Sequence, residues 1–411
     1  MGFAVAFIVI LTFIYCVRCH GLLSFTTLGC VGMAIYSIPG IIGLEMPIYV
    51  SVVAKQRFLV DAPDASDWVL LTAWLAFMAG AMMTARIDTK RQFYPPVAVN
   101  ERRLSHVMWA CAFLSLATFA YSAYNLGPLY FLADRAEQVN DAITLTAKWF
   151  VAIGLVSSLL ISSRKMTAFF IAMLALRFLS GDRTMVAIVT AAAVLTLGHK
   201  NGGARTLFQG LGAPALAAAA VIVVFGKPIY ISIKNYFGIG ILESGTSIQD
   251  TLLTFEPLII YSHLSHVMDT GLDIGFLQFL VSVLGNLLLV PSAFGVSTNL
   301  YNELVQSSFT FNVTYGVAGS FLAHGWAVGG AVGVILFYFG YVMALVWCDR
   351  QFVKQSGLRK AMIACAGGVL AFYAHRNGMD NLGSFMRQIA IAGLIVSFVS
   401  ALFVAFYAEA K

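Results

Sequence analysis

Long apolar runs separated by short polar segments dominate this chain. Most of the eleven runs are about 15 to 25 residues long, which is the length that an α-helix needs to cross about 30 Å of hydrocarbon. Because the runs are continuously apolar and do not alternate, they predict helices and not the strands of a barrel. The predicted spans are residues 3–17, 21–44, 68–85, 106–125, 144–161, 166–180, 184–198, 213–226, 316–346, 359–374 and 388–407. The pattern therefore predicts an all-α polytopic membrane protein.

The composition agrees with this prediction, and the charges orient the chain. The protein has 411 residues, of which 60% are hydrophobic and 11% are charged, more apolar surface than a soluble core of this size can hide. With the loops on alternate sides, one side collects 15 of the 25 basic residues and only four acidic ones. The excess of Lys and Arg makes that side cytoplasmic, with the N-terminus outside and the C-terminus inside. The net charge of +6 therefore reflects orientation and does not indicate nucleic-acid binding.

The spans divide the chain into three parts. We predict a bundle of about eight spans over residues 1–226, an extracytoplasmic loop region over residues 227–315 and a C-terminal bundle of about three spans over residues 316–411. The loop region concentrates ionisable residues in a chain that has few, and a loop of this length is usually functional. We expect the chemistry of the protein there.

The apolar run 275–290 lies inside the loop region. Its polar residues Gln278, Ser282 and Asn286 recur every four positions and form one stripe of a helix. A further span here would also move the basic residues 350–360 outside and abolish the charge asymmetry. The run therefore predicts an amphipathic helix that lies in or dips into the outer leaflet and ends at Pro291.

Two arginines flank a tight turn between two predicted spans. Arg177 and Arg183 lie on either side of Ser180, Gly181 and Asp182. They can simply extend to the membrane surface and pair with Asp182. Alternatively, they bind a phosphate or pyrophosphate through bidentate hydrogen bonds.

Several histidines and one glutamate are candidates for acid–base chemistry. His263 and His266 are three residues apart and share a helical face, and Glu256 lies two turns earlier. The histidine pair lacks a third metal ligand at a typical spacing, so its alternative is a pair of interfacial histidines. His324 lies in the glycine-rich segment 316–333, which predicts close helix packing or a break near the outer surface.

The outer face thus combines cations with candidate bases, and motifs for nucleotide phosphates, zinc proteases and serine hydrolases do not occur there. This combination suits catalysis on a phosphorylated lipid, because a departing pyrophosphate needs positive charge and an attacking sugar hydroxyl needs a base. The candidate cations are Arg177, Arg183, Lys227, Lys234, Arg376 and Arg387, and the candidate bases are Asp182, Glu256, His263, His266, His324 and Asp380.

Four motifs carry a resemblance to a known family. They are the turn Leu179-Ser-Gly-Asp-Arg-Thr184, the stretch Phe255-Glu-Pro, the helix from Phe276 to Pro291 and the glycine-rich Gly319-Ser-Phe-Leu-Ala-His-Gly-Trp-Ala-Val-Gly-Gly330. In their order and spacing, over roughly residues 160 to 400, the chain resembles the bacterial oligosaccharide repeat-unit polymerases, the O-antigen polymerases.

The resemblance implies a glycosyltransferase of the inner membrane with the multi-span, lipid-sugar fold. It would transfer a growing glycan from undecaprenyl pyrophosphate to a new lipid-linked repeat unit, without metal, nucleotide sugar or other cofactor. Its partners would be the lipid-linked donor and acceptor, with a chain-length regulator and a flippase as further candidates. Arg183 matches an arginine of the family, whereas His324 stands where an acid is more usual.

The roles that follow are expectations. Arg183, Arg376 and one of Arg177 and Arg387 would hold the pyrophosphate, and Glu256 or one of the three histidines would activate the acceptor. An O-antigen ligase shares the fold and the donor and is the first alternative. A transporter of lipid-linked oligosaccharides is the second, although it would favour broken helices in two related halves, and no repeat is visible.

Overall fold

A computed structural model describes most of the predicted spans. The described residues are 2–42, 47–49, 57–59, 65–88, 100–127, 142–179, 182–200, 256–287, 300–308 and 319–409, with the single residues Ile233 and Tyr236. Within these ranges, eight helices are long and apolar enough to cross a membrane. The chain is an all-α polytopic membrane protein, with one small two-stranded hairpin.

The elements are numbered in chain order. They are α1 (Gly2–His20), α2 (Phe25–Ile42), β1 (Pro47–Tyr49), β2 (Arg57–Leu59), α3 (Ala65–Asp88), α4 (Glu101–Leu126), α5 (Ala142–Leu160), α6 (Arg164–Leu179), α7 (Arg183–Lys200), α8 (Glu256–Thr270), α9 (Phe276–Leu287), α10 (Leu300–Ser308), α11 (Phe321–Lys354), α12 (Gly357–Gly368), a π-helix (Val369–Tyr373), a 3-10 turn (Ala374–Arg376) and α13 (Met379–Glu409).

Ten of the eleven predicted spans coincide with helices. Eight of them overlap the long apolar helices, which confirms the helices themselves but not the number of membrane crossings. The predicted spans 166–180 and 184–198 form α6, with 16 residues, and α7, with 18 residues. The predicted span 213–226 lies outside the described residues.

The chain forms two compact units. The first comprises Met1–Gln92, Ile248–Trp347 and Val369–Arg387. In it α2 packs against α1, α3 and α8, and the buried indole of Trp74 donates a hydrogen bond to Ser37 Oγ at 3.1 Å. Close packing and hydrogen bonds between helices stabilise such contacts in a membrane, because burial from lipid gives little hydrophobic gain.

The second unit comprises Phe93–Ser247, Cys348–Gly368 and Gln388–Lys411. Here α5 packs against α4, α6, α7 and α12. The ammonium of Lys200 donates to the carbonyl oxygens of Leu159 and Leu160 at 2.9 and 2.8 Å, and so satisfies acceptors at the C-terminal end of α5.

The helix α11 doubles back on itself. Gly329 and Gly330 leave the helical conformation, and Gly330 takes a φ of 55°, which favours glycine. The ring centroids of Phe321 and Phe337 are only 5.2 Å apart. A straight helix would separate these residues by about 24 Å. Residues 321–328 therefore form a half-helix, antiparallel to the long helix 331–354, and the predicted break is confirmed.

The fold-back depends on a close backbone contact. A Cβ atom at Gly333 would collide with the carbonyl oxygen of Gly325, whereas nothing lies within 4 Å of a Cβ at Gly340 on the same helix. We expect Gly333→Ala to lower the free energy of unfolding by about 1–3 kcal/mol, because the two segments must separate. Gly340→Ala is the matched control and should be neutral or stabilising by about 0.5–1 kcal/mol. Thermal midpoints of the two variants in detergent test this, and equal midpoints would contradict it.

The predicted amphipathic run forms α9, but part of its polar stripe faces the protein. Ser282 and Asn286 are buried, whereas Gln278 is exposed. The outer side carries large apolar residues, which are Phe276, Leu277, Val281, Leu284 and Leu287. With 12 residues the helix is about 18 Å long and cannot cross the bilayer by itself. An apolar outer face and a polar inner face suit a helix that dips into hydrocarbon.

Candidate functional site

Three chain segments meet around His324 in the first unit. They are α10, the half-helix 321–328 and the beginning of α13. The His324 side chain is only 2% exposed, and its Nδ1 accepts a hydrogen bond from the backbone N–H of Met379 at 3.0 Å. An accepting Nδ1 places the ring proton on Nε2. The imidazole is therefore held as a hydrogen-bond donor at Nε2.

Aromatic rings fix the plane of this imidazole. The Tyr301 ring stacks on His324, with centroids 4.4 Å apart and an angle of 6° between the planes. Phe279 and Phe337 approach it edge-on, at 5.6 and 5.3 Å. Stacking and edge contacts of this kind orient a ring strongly. His324 therefore cannot rotate freely about its side-chain bonds.

Asp380 links α10 to α13 beside the histidine. Its carboxylate is fully buried, and Oδ2 accepts the backbone N–H of Tyr301 at 3.1 Å, while Oδ1 accepts the backbone N–H of Asn381 at 3.0 Å. An acidic side chain in the first turn of a helix is also stabilised by the helix dipole. Asp380 thus holds Tyr301, and Tyr301 in turn covers His324.

Gly378 has no side chain and so leaves room for His324 and Asp380 to approach each other. A Cβ atom at Gly378 would lie 2.6 Å from His324 Nδ1 and 2.7 Å from Asp380 Oδ1. Any side chain there would displace the histidine or the carboxylate. The site consists of His324, Asp380, Tyr301, Gly378 and Met379, and we call it the His324 cluster.

The phenol of Tyr301 stays protonated. Burial raises the pKa of this hydroxyl far above its ordinary value. Ser320 caps the half-helix, since its Oγ accepts the backbone N–H of Ala323 at 3.3 Å. Tyr301 is thus a neutral member of the His324 cluster.

Two of the predicted cations lie in the same unit as the cluster. Arg376 ends the 3-10 turn four residues before Asp380, is half-buried, and stands over the Tyr373 ring at 5.7 Å. Arg387 is half-buried and donates to Ser384 Oγ at 3.3 Å. It follows Asp380 by seven residues, so the two share one face of α13, about two turns apart.

The predicted histidine pair lies on α8. His263 is fully buried, and this burial, with a smaller contribution from His266, lowers its pKa to about 3. The imidazole of His263 is therefore neutral at pH 7, and it is a weak base. Glu256 begins α8, but its side chain lies outside the described residues.

His266 connects α8 to α10. Burial lowers its pKa, although Asp269 acts in the opposite direction. Its Nε2 lies 2.8 Å from Ser308 Oγ, and that hydroxyl donates to the Val305 carbonyl. Because a serine hydroxyl has one hydrogen, His266 must be the donor in this pair. As held here, its Nε2 is not free to accept a proton.

The remaining predicted residues belong to other parts of the chain. Arg177 is half-buried in α6 of the second unit, and α7 begins at Arg183, whose side chain lies outside the described residues. Asp182 accepts the backbone N–H of Met185 at 3.4 Å, as a helix-capping residue does. Lys227 and Lys234 also lie outside the described residues.

Sequence reasoning did not identify Tyr301. This residue lies in an amphipathic helix of only nine residues, which is too short to be noticed among the long apolar runs. Its partners His324 and Asp380 were both candidate bases. The hydrogen bond between Met379 and His324 joins residues 55 positions apart, and the one between Tyr301 and Asp380 joins residues 79 positions apart. Only the tertiary fold identifies Tyr301.

Comparison of the chain with family models, with curated proteins and with solved structures finds no match.

Proposed function

We propose that this protein is an oligosaccharide repeat-unit polymerase of the bacterial inner membrane. In this proposal the chain has about eleven spans, a periplasmic N-terminus and a cytoplasmic C-terminus, and residues 227–315 form the periplasmic loop region. It transfers a growing glycan from undecaprenyl pyrophosphate to a lipid-linked repeat unit. The observation that carries the proposal is the His324 cluster, a buried histidine and a buried aspartate among membrane helices, with two arginines in the same unit. Ionisable groups at such positions are costly and generally functional.

The geometry of His324 supports a role towards the leaving group. When the bond between the sugar C1 and the pyrophosphate oxygen breaks, negative charge develops on that oxygen. A fixed Nε2–H donor and guanidinium groups stabilise such charge best when they are already oriented. His324 therefore donates to the departing oxygen, and Arg376 and Arg387 hold the pyrophosphate.

The acceptor then needs a separate base. Its hydroxyl oxygen forms the new bond to C1, and its proton passes to a carboxylate within hydrogen-bond reach. Among the predicted bases, His263 has a pKa of about 3 and His266 is a donor to Ser308. We therefore assign the base to Glu256.

The test is polymerisation by the purified protein with lipid-linked repeat units as the only substrate. We expect the wild type to form a ladder of lengthening glycans. Arg376→Ala should lower kcat/KM by about 10- to 150-fold, because it removes a charge-assisted hydrogen bond of about 1.5–3 kcal/mol. The matched control is Arg359→Ala on α12, which is predicted to be cytoplasmic and should leave the ladder unchanged.

Two other outcomes would replace the proposal. Transfer of the glycan only when lipid A-core is supplied would identify a ligase. The second candidate is a transporter of lipid-linked oligosaccharides, which the broken α11 and the irregular stretch 369–376 favour, because transporters bind substrate at discontinuous helices. Movement of a labelled lipid-linked oligosaccharide across liposomes, without chain growth, would support that function.

A further inference from the structure

The chain between α12 and α13 is irregular and needs external support. It winds into the π-helix Val369–Tyr373 and then into the 3-10 turn Ala374–Arg376. π-Helical turns are rare, and they occur frequently at functional sites. Arg376 is the last residue of this stretch. Whatever stabilises the stretch also sets the direction in which the Arg376 side chain leaves the backbone.

One hydroxyl group contacts both parts of the irregular stretch. Tyr341 is buried on α11, and its hydroxyl donates to the Leu370 carbonyl of the π-helix at 2.9 Å. The same oxygen lies 3.1 Å from Nε2 of His375, in the 3-10 turn. Since the single hydroxyl hydrogen goes to Leu370, the oxygen accepts the Nε2–H of His375. Tyr341 thereby ties the π-helix to the turn that follows it.

Aromatic rings pack against His375. The Tyr338 ring stacks on this imidazole at 6.2 Å, with 20° between the planes, and Phe321 approaches it edge-on at 6.4 Å. Among the described residues, three tyrosines therefore contact the same histidine. Tyr341 does so through its hydroxyl, and Tyr338 and Tyr36 do so through their rings, with the Tyr36 centroid at 6.0 Å.

Ring contacts connect the π-helix to Arg376. Tyr373, the last residue of the π-helix, packs against Phe385 at 4.6 Å, and the Arg376 guanidinium stands over its ring at 5.7 Å. His375 is adjacent to Arg376 in sequence, and its ring points inward to Tyr341. Loss of the Tyr341 hydrogen bonds to Leu370 and His375 would thus move the Tyr373 ring and the backbone of Arg376.

We propose that Tyr341 is a positioning residue whose hydroxyl holds the π-helix and the 3-10 turn in the geometry that presents Arg376. The inference rests on the proposed function in one respect, namely that Arg376 binds the pyrophosphate of the substrate. It adds a residue buried between helices to the determinants of that binding.

The test is a double-mutant cycle with a matched control. Tyr341→Phe removes only the hydroxyl and should lower kcat/KM for the lipid-linked substrate about tenfold, but should cause little further loss in an Arg376→Ala background. Tyr338→Phe removes a hydroxyl from the tyrosine that stacks on His375 and should change kcat/KM less than about twofold. A loss from Tyr341→Phe that is equally large in the Arg376→Ala background, or equally large for Tyr338→Phe, would overturn the inference.

A second measurement does not require activity. Phenylglyoxal modifies arginine side chains, and mass spectrometry of peptides gives the rate at each residue. We expect Tyr341→Phe to raise the rate at Arg376 at least about threefold and to leave Arg387 unchanged. If the wild type forms no glycan, the proposed function fails while this rate still decides the role of Tyr341. An unchanged rate at Arg376 would contradict that role.

Discussion

Replacing His324 by Asn is expected to slow glycan transfer by about two to three orders of magnitude without unfolding the protein. The amide oxygen of Asn takes the position of imidazole Nδ1 and still accepts the Met379 N–H, which His324 binds at 3.0 Å. No atom of Asn reaches the position of Nε2, so the donor to the leaving oxygen is lost. Loss of one such preorganised donor costs about 10²- to 10³-fold in rate.

His324→Gln provides the complementary control. The amide nitrogen of Gln reaches the position of Nε2, whereas the acceptor for Met379 is lost. We expect this variant to retain more activity than His324→Asn but to have a lower thermal midpoint. Ladder formation and thermal melting of both proteins, at equal membrane abundance, check the pair. Near wild-type transfer by His324→Asn would mean that His324 serves only as a helix cap.

Asp380→Ala is expected to cause a large loss of stability. The change leaves the buried backbone N–H of Tyr301 without its acceptor, and it removes the acceptor of the Asn381 N–H. A buried unsatisfied donor costs about 1–3 kcal/mol. Activity should fall as well, because Tyr301 then no longer holds the His324 ring. Asp380→Asn should have an intermediate effect, since its amide has one acceptor oxygen and not two.

Thermal melting in detergent ranks the stabilities of the two Asp380 variants and the wild type. The control is Asp273→Ala, which changes an exposed aspartate in the same unit and should stay within about 0.5 kcal/mol of the wild type. The expected thermal midpoints rise from Asp380→Ala through Asp380→Asn to the wild type. If Asp380→Ala and Asp273→Ala melt at the same temperature, the carboxylate does not link α10 to α13.

Most membrane helices were predictable from the sequence because the requirement is local. A segment must be long and apolar enough to span the hydrocarbon, and its backbone must satisfy its own hydrogen bonds. These two conditions located the eight long helices of the described residues. The polar stripe of the run 275–290 also predicted a helix there, which the structure has at Phe276–Leu287, but packing against other helices decided which side faces inward. Asn286 is buried against α13, where a Cβ at Gly383 would lie 3.0 Å from the Asn286 Cβ.

The candidate site could be predicted only in part. Ionisable residues in an apolar chain are conspicuous, so His324, Asp380, Arg376 and Arg387 were identified individually. Which of them lie near each other depends on contacts between segments that are far apart in sequence. The glycines of α11 predicted a break, but not the reversal of the chain that brings Phe321 against Phe337.

The sequence by itself determined the class of this protein, its membrane helices and the residues available for chemistry, because hydropathy and residue type are properties of short segments. Tertiary structure alone decided that Nδ1 of His324 accepts from Met379, that Tyr301 covers the imidazole, and that Tyr341 binds both parts of the irregular stretch. Each of these contacts joins residues of different helices. Their packing follows from side-chain shape and chain reversal, which apolar periodicity does not encode.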